Sequence, residues 1–312
     1  MSRIRHIARL FMKMVSKPIF GIIGPWLPSV RFAQRGLTVF VFHDVTDEPS
    51  KHSFNNKIYT SPSLFKRQLE WIQQRFTILH PFQIELGEIP PKSALLTFDD
   101  GFLSFKKNAL PLLEDENLPV VIFLNMDVVE GEPNAAALIE WSCKSDDYGE
   151  NLWKESCPQK YQRFLQYLEN SGTSLAFREF QGNFLNETDI CALDSHPLVV
   201  FGSHLSNHWY SPTLNDHEFD EALKSNHRRL STYRHEVPWL AYPFGVGTPN
   251  FDQRADLHGV TRVFTGSGLL NSESGQKVLH RIDLNNEIRN QLLFRWRVST
   301  RTAIASFRKW VC

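Results

Sequence analysis

Two adjacent carboxylates, Asp99 and Asp100, stand in the run Thr97-Phe98-Asp99-Asp100-Gly101. Neighbouring carboxylates repel unless a proton or cation compensates, which raises one pKa or draws a metal. Gly101 lets the chain turn sharply behind them. Taken alone, the run equally fits a solvated Asp-Asp-Gly turn. Further along, His204 and His208 lie four apart in His204-Leu205-Ser206-Asn207-His208. At that spacing two rings converge on one ion from a helical turn or a tight loop. Together Asp100, His204 and His208 make a two-histidine, one-carboxylate set with positions left open for water and substrate. Such a set suits Zn²⁺, with Co²⁺, Ni²⁺ or Mn²⁺ as alternatives. Asp99 is then free to act as a base on a metal-bound water.

These residues need a frame that gathers them. Short apolar runs at Leu37–Phe42, Ala94–Phe98, Val120–Leu124, Leu198–Phe201, Trp239–Tyr242, Val260–Phe264 and Val278–Leu279 are bounded by Gly, Pro, Asp or Asn, which predicts strands. Helical patterns lie between them at Ser63–Arg75, Phe105–Asn117, Lys160–Asn170 and Glu218–Tyr233. Alternating strands and helices, with the strands apolar throughout, predict a parallel sheet covered on both faces. About seven such units favour a barrel-like α/β fold over a small open sheet. Six of the runs end on polar or ionisable residues: His43-Asp44, Asp99-Asp100, Asn125, Ser203-His204, Tyr242 to Gly245, and His280-Arg281. Parallel barrels collect reactive groups at the carboxyl ends of their strands, so these residues predict one active-site rim.

The motifs in this order resemble the metal-dependent polysaccharide deacetylases of the NodB type (carbohydrate esterase family four). TFDDG at 97–101 is similar to that family's first motif, His-x-x-x-His at 204–208 to its second, and Ala241-Tyr242-Pro243-Phe244-Gly245 to its third. Val263-Phe264-Thr265, Gly268 to Asn271 and Leu279-His280-Arg281-Ile282 resemble the domain end in its Tyr-Pro-x-Gly branch, as do Val41 to Val45 and Phe65-x-x-Gln68-Leu69 upstream. The resemblance spans roughly residues 37–284. It implies a deformed (β/α) barrel and hydrolysis of an N-acetyl, less often O-acetyl, group on a sugar. Carried over, Asp99 is the base and Asp100, His204 and His208 are the metal ligands. The backbone N–H of Tyr242 helps hold the oxyanion, and Gly245 completes the substrate-binding motif.

Three departures matter. Leu205 stands where Ser or Thr usually follows the first histidine, with Ser206 as a substitute support. The arginine that usually precedes the third-motif tyrosine and steadies the base is missing from Pro238 to Ala241, and Arg281 is expected to supply that charge. The motif carrying the general acid is not recognisable, which leaves His280 and His43 as candidates, each with the alternative of a supporting histidine.

The middle of the chain holds a long stretch, residues 131–196, with Trp141, Trp153, Tyr161, Phe164, Tyr167 and Phe177 among polar residues. Helical inserts of this kind either stack sugars on their aromatics or simply pack, and packing is the commoner outcome. Trp209 and Tyr210, next to the second histidine, are better placed for sugar contact.

Charge divides the molecule further. The 34 acidic and 34 basic residues cancel, yet residues 1–35 carry seven bases and residues 289–312 six, with no acid in either segment. The domains expected are thus a basic amphipathic segment at 1–35, the deacetylase-like domain at 36–288 and a second basic amphipathic segment at 289–312. Ile4–Lys17 places an apolar arc opposite Arg5, Arg9, Lys13 and Lys17, which suits an anionic membrane interface or packing on the acidic middle. Leu292, Leu293, Trp296 and Phe307 form a similar stripe opposite Arg297, Arg301, Arg308 and Lys309, with Phe294, Val298 and Ala305 spoiling the polar face. No apolar run is long enough to span a bilayer. The apolar core of a secretory signal is absent, and four cysteines without a regular framework fit a reducing compartment, so a cytoplasmic protein peripheral to the inner face of the plasma membrane is expected. An acidic domain around the site argues against nucleic acid. The expected partner is an N-acetylated glycan or a lipid-linked saccharide. Other readings are deformylation or O-deacetylation of a lipid-linked sugar, and an inactive module that retains metal and binds glycan.

Overall fold

The computed structural model describes residues 36–143, 156–266, 271 and 276–298. Its centre is a barrel of seven parallel strands: β1 (Leu37–Phe42), β5 (Ser93–Phe98), β6 (Val120–Leu124), β7 (Val199–Ser203), β8 (Glu236–Ala241), β9 (Arg262–Thr265) and β10 (Val278–Asp283). Closure comes from β1, which pairs in parallel with β10 on one side and β5 on the other. A short strand, β4 (Thr77–Ile78), adds to β5, and β2 (Asp44–Val45) pairs with β3 (Tyr59–Thr60) in a separate ribbon. Every residue of β1, β5, β6 and β7 is buried, as expected of strands covered on both faces.

Side chains alternate across each strand, and this parity sorts the core into layers. Leu37, Val39, Leu95, Val121, Phe123, Val200, Val237, Trp239, Ala241, Phe264 and Leu279 fill the barrel interior. Phe40, Phe42, Leu96, Phe98, Val120, Ile122, Val199, Phe201 and Ile282 face outward, under α2 (Pro62–Gln73), α4 (Leu110–Asp115) and α9 (Glu187–Leu193). The helix expected over Phe105–Asn117 is broken: a π-helical turn at Phe105–Ala109 precedes α4. Pro111, which cannot donate a backbone hydrogen bond, lies in the first turn of α4 and accounts for the interruption.

The stretch at 131–196 folds as α6 (Ala135–Ser142), α7 (Cys157–Ser171), α8 (Ser174–Gln181) and α9. A further cluster joins α6 to α8 with α10 (Asp216–Leu230), α11 (Pro249–Leu257) and the outer faces of β8 and β9. Trp141 packs on Phe177 and Phe180, while Tyr161 and Phe177 are buried, so these aromatics pack helices; Trp153 lies outside the described residues. Residues 291–298 are helical and lean on the barrel. Phe294 and Val298, which spoil the polar face of a membrane helix, are the buried residues there, and Phe294 stacks 6.0 Å from Phe40 and lies tilted 5.8 Å from Trp71. The described part of the C-terminal segment therefore packs on the barrel beyond residue 288. The basic N-terminal segment at 1–35 lies outside the described residues, as does 299–312. No described helix is long and apolar enough to cross a membrane.

Candidate active site

A cleft of about 310 Å³ opens at the carboxyl ends of the strands, lined among others by His43, Asp99, Asp100, His204, His208 and Arg281. Inner-face parity delivers most of these groups: Val39 and Val41 lead to His43, Leu95 and Thr97 to Asp99, Val200 and Gly202 to His204, and Leu279 to Arg281. Register sets the level, since Phe42 pairs with Phe98 and Leu124 with Ser203. Asp100 belongs to the opposite parity and reaches the cleft because its backbone turns left-handed at φ 70°, followed by Gly101 at φ 72°.

Asp99 is buried and gripped in two-pronged fashion by Arg281, with Nη1 2.6 Å from Oδ1 and Nη2 2.7 Å from Oδ2. Arg281 sits within the barrel with its guanidinium 5.7 Å from the ring of Phe123. Burial opposes ionisation of Asp99, yet the charges of Arg281, His204 and His43 hold it below the ordinary carboxylate range. His43 Nε2 stands 3.9 Å from Asp99 Oδ2.

Asp100 Oδ1 lies 3.5 Å from His204 Nε2 and 3.3 Å from His208 Nε2, and the three ligand atoms fall within 4.8 Å of one another. His204 Nδ1 donates to the carbonyl of Ala241 at 2.7 Å, which leaves Nε2 as the ring nitrogen facing Asp100. Burial pushes His208 down to about 4, so its ring is neutral at physiological pH. Burial also opposes the charge on Asp100, but the nearby histidines hold its pKa well below the usual range. Asp100 Oδ1 is buried and lacks a hydrogen-bond donor. A buried carboxylate oxygen without a donor, facing the Nε2 atoms of two histidines, is a donor set that fits a divalent cation.

The loop carrying both histidines is braced from below. Asn125, at the end of β6, donates to the carbonyls of His204 and Leu205. Asn226 of α10 donates to Leu124 and Ser203 and accepts from the amide of Met126. Leu205 is fully buried at φ 60°, and its amide donates to Ser203 Oγ. Ser206, the substitute support expected from sequence, accepts instead from Trp209 Nε1. Asn207 ties the loop to the insertion through Pro133 and Ala135. Asn226 was missed in the sequence, whereas Asn125 was read there as a rim residue, the polar residue closing an apolar strand, and not as a brace.

Several expectations change. The Tyr242 amide donates to the carbonyl of Phe264, continuing the β8–β9 ladder, and so does not face the cleft as an oxyanion donor. Its side chain has outward parity and its hydroxyl donates to Asp252 at 2.8 Å. His280 has outward parity too: it lies between Leu279 and Arg281, contacts Thr265 Oγ1 through Nδ1 at 2.8 Å, and is absent from the cleft lining, whereas His43 is part of it. Burial pushes the His280 ring below its ordinary value. Trp209 is buried, packs edge-on against Tyr161 at 5.3 Å and does not line the cleft. The aromatic that does is Phe244, 43% exposed, in a left-handed backbone conformation at φ 58° and 4.6 Å from the ring of His208. Gly245 lines the cleft at φ 67°, and a Cβ there would come 2.5 Å from the backbone of Gly266. That approach of two backbones explains the glycine.

No family model matches the chain, and no curated protein matches it. Solved structures do. IcaB from Ammonifex degensii is 19% identical with a TM-score of 0.57, over 84% of this chain and 97% of that one. BC0361, a polysaccharide deacetylase from Bacillus cereus, is 15% identical with a TM-score of 0.57, over 84% and 69%. The de-N-acetylase from Aggregatibacter actinomycetemcomitans is 15% identical with a TM-score of 0.55, over 84% and 99%. The chain has the fold of the polysaccharide deacetylases.

Proposed function

We propose that this protein is a metal-dependent hydrolase that removes N-acetyl groups from an amino-sugar-containing glycan. The observation that carries the reading is the Asp99–Arg281 pair beside the Asp100, His204 and His208 set in one cleft. The shared fold with deacetylases supports it. Asp100, His204 and His208 would hold a divalent ion, most simply Zn²⁺, which when bound supplies Lewis acidity and a water of lowered pKa. Asp99, kept ionised by Arg281, takes the proton of the attacking water; each of its oxygens accepts one Arg281 N–H and keeps another lone pair. His43 is the residue on the cleft that protonates the leaving nitrogen, since His280 faces away. Water adds to the carbonyl carbon, the C–N bond breaks, and acetate and a free amine leave. The His204→Ala variant should lose bound metal by elemental analysis; full stoichiometry in that variant would refute the ligand set.

The substrate reading extends to a glycan on a lipid carrier, with the protein peripheral at the inner face of the plasma membrane. Its support is the run of seven bases without an acid in residues 1–35. Release of formate in place of acetate would favour the deformylase alternative.

A further inference from the structure

Part of the cleft lining comes from outside the barrel strands. His52 and Asn56 belong to α1 (Lys51–Asn55) and its C-terminal cap, and Asn134 and Ala136 to the start of α6 in the insertion. One carboxylate locks the two elements together. Glu140 of α6 places Oε2 2.5 Å from His52 Nδ1 and accepts from Asn56 Nδ2 at 2.8 Å, while Oε1 accepts from Asn55 Nδ2 at 2.8 Å. Burial works against the charge on Glu140, but the hydrogen bonds from His52 and Asn55 outweigh it and hold the group below its ordinary range. An ionised carboxylate has no proton to give, so the proton in the contact belongs to His52 Nδ1. With Nδ1 as the donor to Glu140, Nε2 is the ring nitrogen left for a ligand. Nε2 has no hydrogen-bond partner among the described residues, although His52 is buried and lines the cleft.

The geometry points to His52 as a specificity-determining residue, whose Nε2 accepts a hydrogen bond from a hydroxyl of the bound glycan, with Glu140 as the positioning residue that fixes the ring. This inference rests on the deacetylase reading and adds how the sugar is recognised. It also gives the insertion a role at the site through a polar contact, where its aromatics serve packing. A substrate lacking the matching hydroxyl would leave a partly buried acceptor unpaired, which is how hydrogen-bonding sites discriminate.

Binding of an N-acetylglucosamine tetramer, measured by calorimetry with Zn²⁺ present, tests the assignment in an Asp99→Asn background that does not consume the ligand. Adding His52→Ala should weaken the Kd about tenfold, the size of one hydrogen bond between neutral partners. His52→Gln, whose amide oxygen can accept in place of Nε2, should recover most of the loss. Glu140→Gln, which no longer dictates where the ring proton sits, should weaken binding too and, in an otherwise unsubstituted enzyme, raise KM more than it lowers kcat. A pair that only staples the insertion would lower the thermal midpoint in the His52→Ala and Glu140→Gln variants yet leave the Kd of the folded protein unchanged, and that result overturns the proposal. Failure of the Asp99→Asn parent to bind the tetramer overturns it as well. Acetate release by the unsubstituted chain is scored separately: binding sensitive to His52 without acetate release would count against the deacetylase reading and leave the His52 assignment standing.

Discussion

Arg281 and Asp99 define the site at the level of single residues. Both are buried, and the pair has the parallel two-bond geometry that gives arginine–carboxylate contacts their strength. Asp99 is depressed in the folded state, so its pairing contributes stability above the unfolded carboxyl pKa, and that contribution is lost as pH falls through the folded value. Replacing Arg281 with Met removes the partner and leaves burial to push Asp99 upward. We expect a loss of about 3–5 kcal/mol of stability, the usual consequence of breaking a buried pair. The acid limb of the kcat/KM profile should also move to higher pH; an unmoved limb would show that Arg281 does not set the ionisation of the base. The sequence placed the missing charge at residue 281, where the structure has it against Asp99, and it named Asp100, His204 and His208, which the structure brings together. It did not separate His43 from His280, although the information was there. Counting by twos along β10 from Leu279, an inner-face residue, puts Arg281 inside and His280 outside.

At the scale of elements, the same alternation governs the whole rim. The seven apolar runs were legible because buried parallel strands are apolar throughout, and each corresponds to a barrel strand with ends moved by a few residues. The short strands β2, β3 and β4, two residues each, carry too little pattern to be read. Side-chain direction after a strand end was harder. Trp209 adjoins His208 in sequence, yet the chain turns and packs it against Tyr161, while Phe244 is brought to the cleft by a left-handed turn that residue type gives no reason to expect. The helix at 291–298 was the least legible element, since an apolar stripe fits a membrane and a barrel equally well. Phe294 decides between them by burial against Phe40 and Trp71. Phe294→Ala should cost about 3–5 kcal/mol in denaturant unfolding, as for other buried aromatics. A cost below about 1 kcal/mol would mean that the helix is not part of the cooperative core.

Over the whole molecule, the zero net charge conceals a division between an acid-rich barrel and basic ends. Within the described residues the C-terminal segment packs on the barrel, and the proposed attachment to an anionic surface is tested at the N-terminal segment. Deleting residues 1–17 should release the protein from anionic liposomes while sparing turnover of a soluble acetylated oligosaccharide, as a sedimentation assay at low and high salt would show. Binding that survives the deletion would show that the N-terminal segment is not what attaches the protein. The proposed hydrolysis with Asp99 as the base has the wider support, in the fold, the cleft and the Asp99–Arg281 pair. The most direct test is acetate released from an N-acetylated amino-sugar oligosaccharide by the Zn²⁺-loaded protein and by its Asp99→Asn variant. The account predicts acetate from the first, and from the second a bound ion with turnover lower by about 100-fold or more. Near-full acetate release from Asp99→Asn with metal retained would contradict it.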